Sequence, residues 1–159
     1  VKESIFNLLL HSKKLNFDVE NSIVLDLFSG SGSFGIECIS RGAEKVIFLE
    51  QHPEALKSLE KNLNLLKEFK NYSIIKDNFF DFFSSVKDLD FKFNLIFIDP
   101  PYKEKKINEI IEIILEKKLL LENGVIIIHR HKNDDITLTS KINIFEKRIY
   151  GLSKILFGN

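Results

Sequence analysis

Apolar and polar positions along this chain follow two rhythms that take turns. Lys2 to Leu10 sets Ile5, Phe6, Leu8, Leu9 and Leu10 against Lys2, Glu3, Ser4 and Asn7, the spacing of a short amphipathic helix. A polar linker, Lys13 to Ser22, leads into the apolar run Ile23 to Phe28, which reads as a buried strand. A glycine-rich turn follows, then a helix through Phe34, Ile36, Cys38 and Ile39 that stops near Gly42. Lys45 to Leu49 is a second strand ending at Glu50. Pro53 suits the first turn of a helix whose apolar positions are Ala55, Leu56, Leu59, Leu63 and Leu66. Asn71 to Ile75 is a third strand closed by Lys76-Asp77-Asn78, and Phe79 to Phe83 is a short helix or packed loop. Asn94 to Ile98 is a fourth strand, stopped by Asp99-Pro100-Pro101-Tyr102. Lys105 to Lys118 is helical, and Gly124 opens a fifth strand, Val125 to Ile128. Beyond the polar break at Lys132 to Asp135, Ile142 to Ile149 and Lys154 to Phe157 are two more strands around Gly151.

Strands alternating with helices imply βαβ units and a parallel sheet with right-handed crossovers. The last two strands have no helix between them and must pair antiparallel. The expected fold is α/β: a mostly parallel sheet closed by a C-terminal hairpin. Ligands of such sheets bind beyond the carboxyl ends of the strands. Asp26 to Gly32, Glu50, Asp77 and Asp99 all fall there.

Two ligand classes compete for the glycine turn. Gly30, Gly32 and Gly35 match the G-x-G-x-x-G dinucleotide fingerprint, and Glu50 follows Gly30 at the distance expected of a ribose-binding acid. Phe28 and Ser29, however, are bulky and polar where that fingerprint is small and apolar. Asp26 would repel a pyrophosphate and suits a ligand bearing a cation or an amine. S-adenosylmethionine is such a ligand, with a sulfonium, an α-amino group, a ribose diol and an adenine.

The most specific signal is Asp99-Pro100-Pro101-Tyr102. Proline fixes φ and donates no hydrogen bond, so the lip is rigid and its carbonyls stay free as acceptors. An exocyclic base amine is a poor nucleophile because its lone pair is delocalised. Acceptors on its two hydrogens, the Asp99 carboxylate and a main-chain carbonyl, orient it and build negative charge on nitrogen. Tyr102 offers a flat face on which to stack a base drawn out of its helix.

Asp26-Leu27-Phe28-Ser29-Gly30-Ser31-Gly32 resembles the D-x-F-x-G-x-G motif of class I, Rossmann-like methyltransferases. The resemblance implies a three-layer sandwich around a seven-stranded sheet and S-adenosylmethionine as cofactor. It gives Asp26, Phe28, Ser29, Gly30 and Gly32 to the methionine part. Glu50, with Gln51 after it, goes to the ribose hydroxyls, and Asp77, with Asn78 and Phe79, to the adenine. Asp-Pro-Pro-Tyr resembles the D/N-P-P-Y/F motif of amino-methyltransferases, which implies catalytic roles for Asp99, Pro100, Pro101 and Tyr102. Val1 to Asn7, Phe34-Gly35-Ile36-Glu37, Ser40-Arg41-Gly42-Ala43 and Tyr150-Gly151 extend the match. Together they resemble the bacterial 16S ribosomal RNA guanine-N2 methyltransferases over essentially the whole chain. That family implies a guanine of 16S rRNA, within a small-subunit particle, as substrate and a monomeric enzyme. An Arg-Pro-Thr-x-x-Arg stretch that usually precedes the first helix in that family is absent. A DNA adenine or cytosine amino-methyltransferase is the alternative within the class, and an NAD(P)-binding oxidoreductase the alternative outside it.

Composition adjusts this picture in a few places. The 159 residues carry 23 Lys and Arg against 23 Asp and Glu, a formal net charge of zero. Non-specific nucleic-acid binding usually needs a basic surface, so a preformed ribosomal surface is the more natural partner. No apolar run approaches the ~20 residues of a membrane helix. The lone cysteine, Cys38, excludes an internal disulfide and fits a reducing cytoplasm, and its position on an apolar helix face makes it core. The chain contains no methionine, so an N-terminal piece is expected to precede Val1. Lys103, Lys105 and Lys106 follow the lip and are candidates for phosphate contact or a solvated helix start. His129 and His131 share a strand face, but no acid or cysteine is spaced to complete a metal site, so no metal is expected. Lys2, Glu3 and Asn7 are candidates for covering the cofactor or touching RNA, and His52 for lying near the adenine or ribose.

Overall fold

In the computed structural model, which describes residues 1–86, 90 and 92–159, seven strands form one sheet. The strands are β1 (Ile23–Leu27), β2 (Lys45–Leu49), β3 (Tyr72–Ile75), β4 (Phe93–Ile98), β5 (Leu120–His131), β6 (Ile144–Tyr150) and β7 (Ser153–Gly158). Their order is β3-β2-β1-β4-β5-β7-β6. The first five run parallel, and β7 pairs antiparallel with both β5 and β6. The mostly parallel sheet with an antiparallel C-terminal hairpin is therefore as the sequence implies. The hairpin does not simply extend the edge, because β7 lies between β5 and β6.

Period-2 alternation sends neighbouring strand residues to opposite faces. Val24, Val46, Phe48, Leu95, Phe97, Val125, Ile127, Ile155 and Phe157 belong to one core. It is covered by α1 (Lys2–His11), α2 (Ser33–Ser40) and α3 (Pro53–Asn64). Leu25, Leu27, Ile47, Leu49, Ile96, Ile98, Ile126, Ile128 and Leu156 belong to the other, covered by α4 (Phe79–Ser85) and α5 (Ile107–Glu116). Two helical layers around one sheet make the three-layer sandwich.

The local chemistry explains the boundaries. Pro53 opens α3, where a missing N–H costs nothing. The Asn78 side chain caps α4 by accepting the Asp81 N–H at 2.9 Å. Gly42 takes φ +92° just past α2, and its N–H reaches back to the Ile39 carbonyl at 3.0 Å.

Several expected boundaries shift, and in four elements the cause is visible. The strand β1 ends at Leu27, because Phe28 turns to φ +58° and leaves the ladder. The helix α5 is shorter than Lys105 to Lys118, since Glu104 accepts the Lys106 N–H and organises the approach as a turn. The strand β5 begins at Leu120 and not at Gly124: Leu120 pairs with Phe93, and a bulge follows before Val125 pairs with Leu95. The strand β6 begins at Ile144, not Ile142, because the Asn143–Asn159 backbone pair closes its end.

Candidate active site

The sheet face decides what sits together. Asp26 lies on the face covered by α1 and α2, with Phe48 and Phe97 as its ladder partners on either side. It is 1% exposed, and its Oδ2 accepts the Gly35 N–H, the third of α2, at 3.0 Å. Burial among aromatic rings pushes the Asp26 carboxyl up to about 8. The Gly35 hydrogen bond opposes that rise, and the charges of Asp99 and Glu50 add to it.

The glycine turn is clasped from the neighbouring strand end. Ser29 N–H reaches the Leu49 carbonyl at 3.1 Å, and Gly32 N–H reaches the Ser29 carbonyl at 2.8 Å. Glu50 Oε2 accepts the Gly30 N–H at 2.8 Å, while Oε1 accepts the N–H groups of Gln51 and His52 at 2.8 and 2.9 Å. Phe28, Gly30 and Gly32 all have positive φ. At Gly32 a Cβ would stand 2.4 Å from Leu59 Cδ1, so only glycine fits; at Gly30 a Cβ would meet open space.

A cavity of about 320 Å³ opens beside this turn. Asp26, Phe28, Ser29 and Gly30 line it on one side, Asp99 and His129 on the other, and Lys2 and Ile5 of α1 form part of its wall. Lys2 Nζ donates to Ser33 Oγ at 3.1 Å and lies 3.8 Å from Glu37. Phe6, Phe34 and Phe97 stack with centroid separations of 5.0 and 3.9 Å, which docks α1 against α2 and β4.

Gly32, Glu50, Gln51, Asp77, Asn78 and Phe79 stand outside that lining. Glu50 is buried and Gln51 exposed at the end of β2. Asp77 Oδ1 accepts the Asn78 N–H at 2.8 Å beyond β3. The Phe79 side chain is 1% exposed and packs against Phe83 in the α4–α5 core, so its ring is a core element and does not wall the cavity. His52 is the exposed residue preceding α3.

A second cavity of about 270 Å³ lies across Asp99, lined by Pro100, Tyr102, His131, Leu152 and Ser153, with His129 again shared. Pro100 is buried and Pro101 exposed. Tyr102 is 76% exposed, its ring edge-on to His131 with centroids 6.2 Å apart. Among the described residues no hydrogen bond reaches the Pro100 carbonyl. His129 Nδ1 lies 2.9 Å from Asp99 Oδ1, and its Nε2 lies 2.8 Å from Ser153 Oγ. Sequence reasoning missed this link. The signal existed in the register, since Ile98 pairs with Ile128 and the next residues are Asp99 and His129, but it needs the β4–β5 adjacency to be known.

The remaining candidates disperse. Lys103 and Lys105 are exposed, and Lys106 lies 5.0 Å from the Phe80 ring centroid. Cys38 is buried, and burial pushes its thiol up. Among the described residues no cluster of His, Cys, Asp and Glu could hold a metal, and no helix is long and apolar enough to cross a membrane.

A seven-stranded sheet of this order has buried acids closing β1 and β2. With Asp-Pro-Pro-Tyr after β4, these features define a class I methyltransferase fold. Within that class the chain belongs to the family described as Conserved hypothetical protein 95, matched over residues 1–159. It is 32% identical over 131 residues to the ribosomal RNA small subunit methyltransferase D of Buchnera aphidicola, covering 82% of this chain and 67% of that one. A solved Streptococcus pyogenes protein superposes with a TM-score of 0.84 at 27% identity, covering 100% of this chain and 95% of that one. A structure solved in complex with S-adenosylhomocysteine shares the fold, with a TM-score of 0.74 at 19% identity, covering 98% of this chain and 48% of that one.

Proposed function

We propose that this protein transfers a methyl group from S-adenosylmethionine to the exocyclic N2 amine of a guanine in 16S ribosomal RNA, acting as a monomer on a small-subunit particle. The observation that carries the reading is the place of Asp99, in the wall of both cavities. A donor in one and a base in the other meet at a single carboxylate. The name of the Buchnera aphidicola relative supports ribosomal RNA as the acceptor.

The first cavity fits this cofactor by its own chemistry. Asp26 is a buried acid whose charged form is disfavoured until a positive group arrives. When bound, the cofactor supplies that group together with a methyl on a positively charged sulfur. Phe28, Ser29, Gly30 and Gly32 hold the methionine part along the turn. Glu50 Oε2 accepts one hydrogen bond in the structure and keeps a second acceptor site for a ribose hydroxyl. Asp77 and Asn78 serve the adenine end, Gln51 flanks the ribose, and Phe79 contributes through its main chain.

On the acceptor side, Tyr102 stacks the guanine. The Asp99 carboxylate and the Pro100 carbonyl accept the two amine hydrogens, and Pro101 keeps the lip rigid. This fixes the direction of the nitrogen lone pair and raises its electron density. The bound cofactor would supply the methyl and leave as a neutral thioether, and on gaining its new N–C bond the amine has one proton to give up. Asp99, whose side chain is 45% exposed, receives it and releases it to water.

Tritiated-methyl transfer onto 30S particles, naked 16S RNA and DNA, run side by side, tests the reading. The expected result is label in 16S RNA of the particles, recovered as N2-methylguanosine after digestion. Label in DNA, no label in RNA, or calorimetric binding of NADH in place of S-adenosylhomocysteine would overturn it.

A further inference from the structure

Four side chains share one face of the sheet near its strand ends. Ser153, His129, Asp99 and Asp26 belong to β7, β5, the end of β4 and β1, four neighbouring positions in the sheet order. Each lies two residues from, or between, core positions of the α1–α2 face: Ser153 from Ile155, His129 from Ile127, Asp99 from Phe97, Asp26 from Val24. Ile98 pairs with Ile128, so Asp99 and His129 are level on strands about 4.8 Å apart, whereas Ser153 pairs with His131 and Asp26 with Phe97, each one step diagonal to that pair.

Hydrogen-bond chemistry orders the outer three. A carboxylate only accepts, so His129 carries its proton on Nδ1 and donates to Asp99 Oδ1 at 2.9 Å. In the neutral imidazole Nε2 is then unprotonated and accepts from the Ser153 hydroxyl at 2.8 Å. The imidazole is held at both nitrogens. Its antiparallel partner strand supplies one contact and its parallel partner the other. Asp99, with its side chain 45% exposed on a loop, has no other side-chain partner among the described residues.

We propose that His129, fixed by Ser153, is a positioning residue for methyl transfer. It occupies Asp99 Oδ1 and so turns Oδ2 toward the acceptor amine. The proposal rests on the reading that Asp99 receives that amine. Without His129 the carboxylate rotates about χ1 and χ2, and the two acceptors no longer converge on one nitrogen. A misplacement of about 1 Å at a reacting group costs about 10²-fold in rate.

The test compares His129→Ala, His129→Gln, His129→Asn and Ser153→Ala in full-length protein on 30S particles. Calorimetry with S-adenosylhomocysteine and thermal unfolding run alongside. An asparagine amide reaches the position of Nδ1, and a glutamine amide that of Nε2. The expected result is a kcat loss of about 10- to 100-fold for Ala and Gln. Asn recovers most of that loss and Ser153→Ala falls between. KM for both substrates and the affinity for S-adenosylhomocysteine stay near wild type. An unchanged kcat in His129→Ala, or an equal loss in Asn and Ala, overturns the proposal. Nitrogen-15 spectra of the imidazole give a readout that needs no activity. The wild type should show the Nδ1–H tautomer, and Asp99→Ala should revert it to Nε2–H. An Nε2–H tautomer in the wild type overturns the proposal. An Nδ1–H tautomer in a wild type that methylates no RNA places the failure in the assigned reaction and leaves the geometry standing.

Discussion

Asp26 accepts the N–H of Gly35 at 3.0 Å from a neighbouring element, so a strand residue covers a donor that helix α2 cannot pair internally. The same carboxyl faces the cavity that adjoins Asp99. One buried acid thus links the start of a helix to the bed of a ligand site. Its proton affinity, raised to about 8 by burial, makes the link sensitive to pH.

Replacing Asp26 with Asn separates these roles. The Asn side-chain oxygen can still accept from Gly35, but the charge is gone. In the wild type the folded state holds a proton that the unfolded state releases near 3.8, so stability falls as pH rises from about 4 to about 8 and levels off above. Asp26→Asn should flatten this decline, leaving the variant the more stable of the two above pH 8 in urea titrations. Its affinity for S-adenosylhomocysteine should drop at least about tenfold in calorimetry, the scale of one lost charge-assisted contact.

Gly35 and Gly30 should respond unequally to alanine. A Cβ on Gly35 would sit 2.3 Å from Phe48 Cε1 in the buried β2 strand, which forces overpacking worth about 1–3 kcal/mol. A Cβ on Gly30 meets nothing within 4 Å, so only the strain of φ +56° remains, about 1 kcal/mol. Chemical denaturation should rank Gly35→Ala as clearly the less stable.

Tyr102 should be silent for stability and loud for activity. Its ring is 76% exposed, and exposed substitutions of this kind stay within about 0.5 kcal/mol. Stacking of a base on an aromatic contributes about 1–3 kcal/mol, so Tyr102→Ala should lower kcat/KM on 30S particles by about 10- to 100-fold. Tyr102→Phe should keep most activity, because the flat face persists. Equal losses for Ala and Phe would exclude the stacking role.

Phe6 anchors the helix that walls the cavity. Its ring is fully buried, stacks 5.0 Å from Phe34 and takes the Arg41 guanidinium at 4.6 Å. Phe6→Ala should cost about 3–5 kcal/mol. The loss should come first at α1, which hydrogen exchange would read as early loss of protection over residues 2–11 before the sheet opens.

The strands and helices were readable because burial repeats at a period of two or 3.6 whatever the neighbours are. Val24 to Leu27, Lys45 to Leu49 and the helix from Pro53 all appear where the pattern places them. The boundaries that moved did so for reasons outside the pattern. The turn at Phe28 is a backbone choice imposed by the loop, and the bulge after Leu120 is a matter of register against Phe93. The polar residues at strand ends were visible for the same reason as the strands: once the sheet is parallel, each parallel strand delivers its terminal residues to one edge.

The chain order alone determined that an acid lies near the end of β1 and follows each of β2, β3 and β4, and that a rigid Asp-Pro-Pro-Tyr lip closes the last of them. It did not determine which strand ends become neighbours. That depends on crossovers that set β4 beside β1 and bring β7 back between β5 and β6. Only then does Asp26 come to face Asp99 across one cavity, and only then does His129 meet Asp99 on one side and Ser153 on the other. Hydrophobic periodicity is local and survives in a one-dimensional reading. Contacts between residues 24 to 73 positions apart exist only after the sheet has ordered its strands.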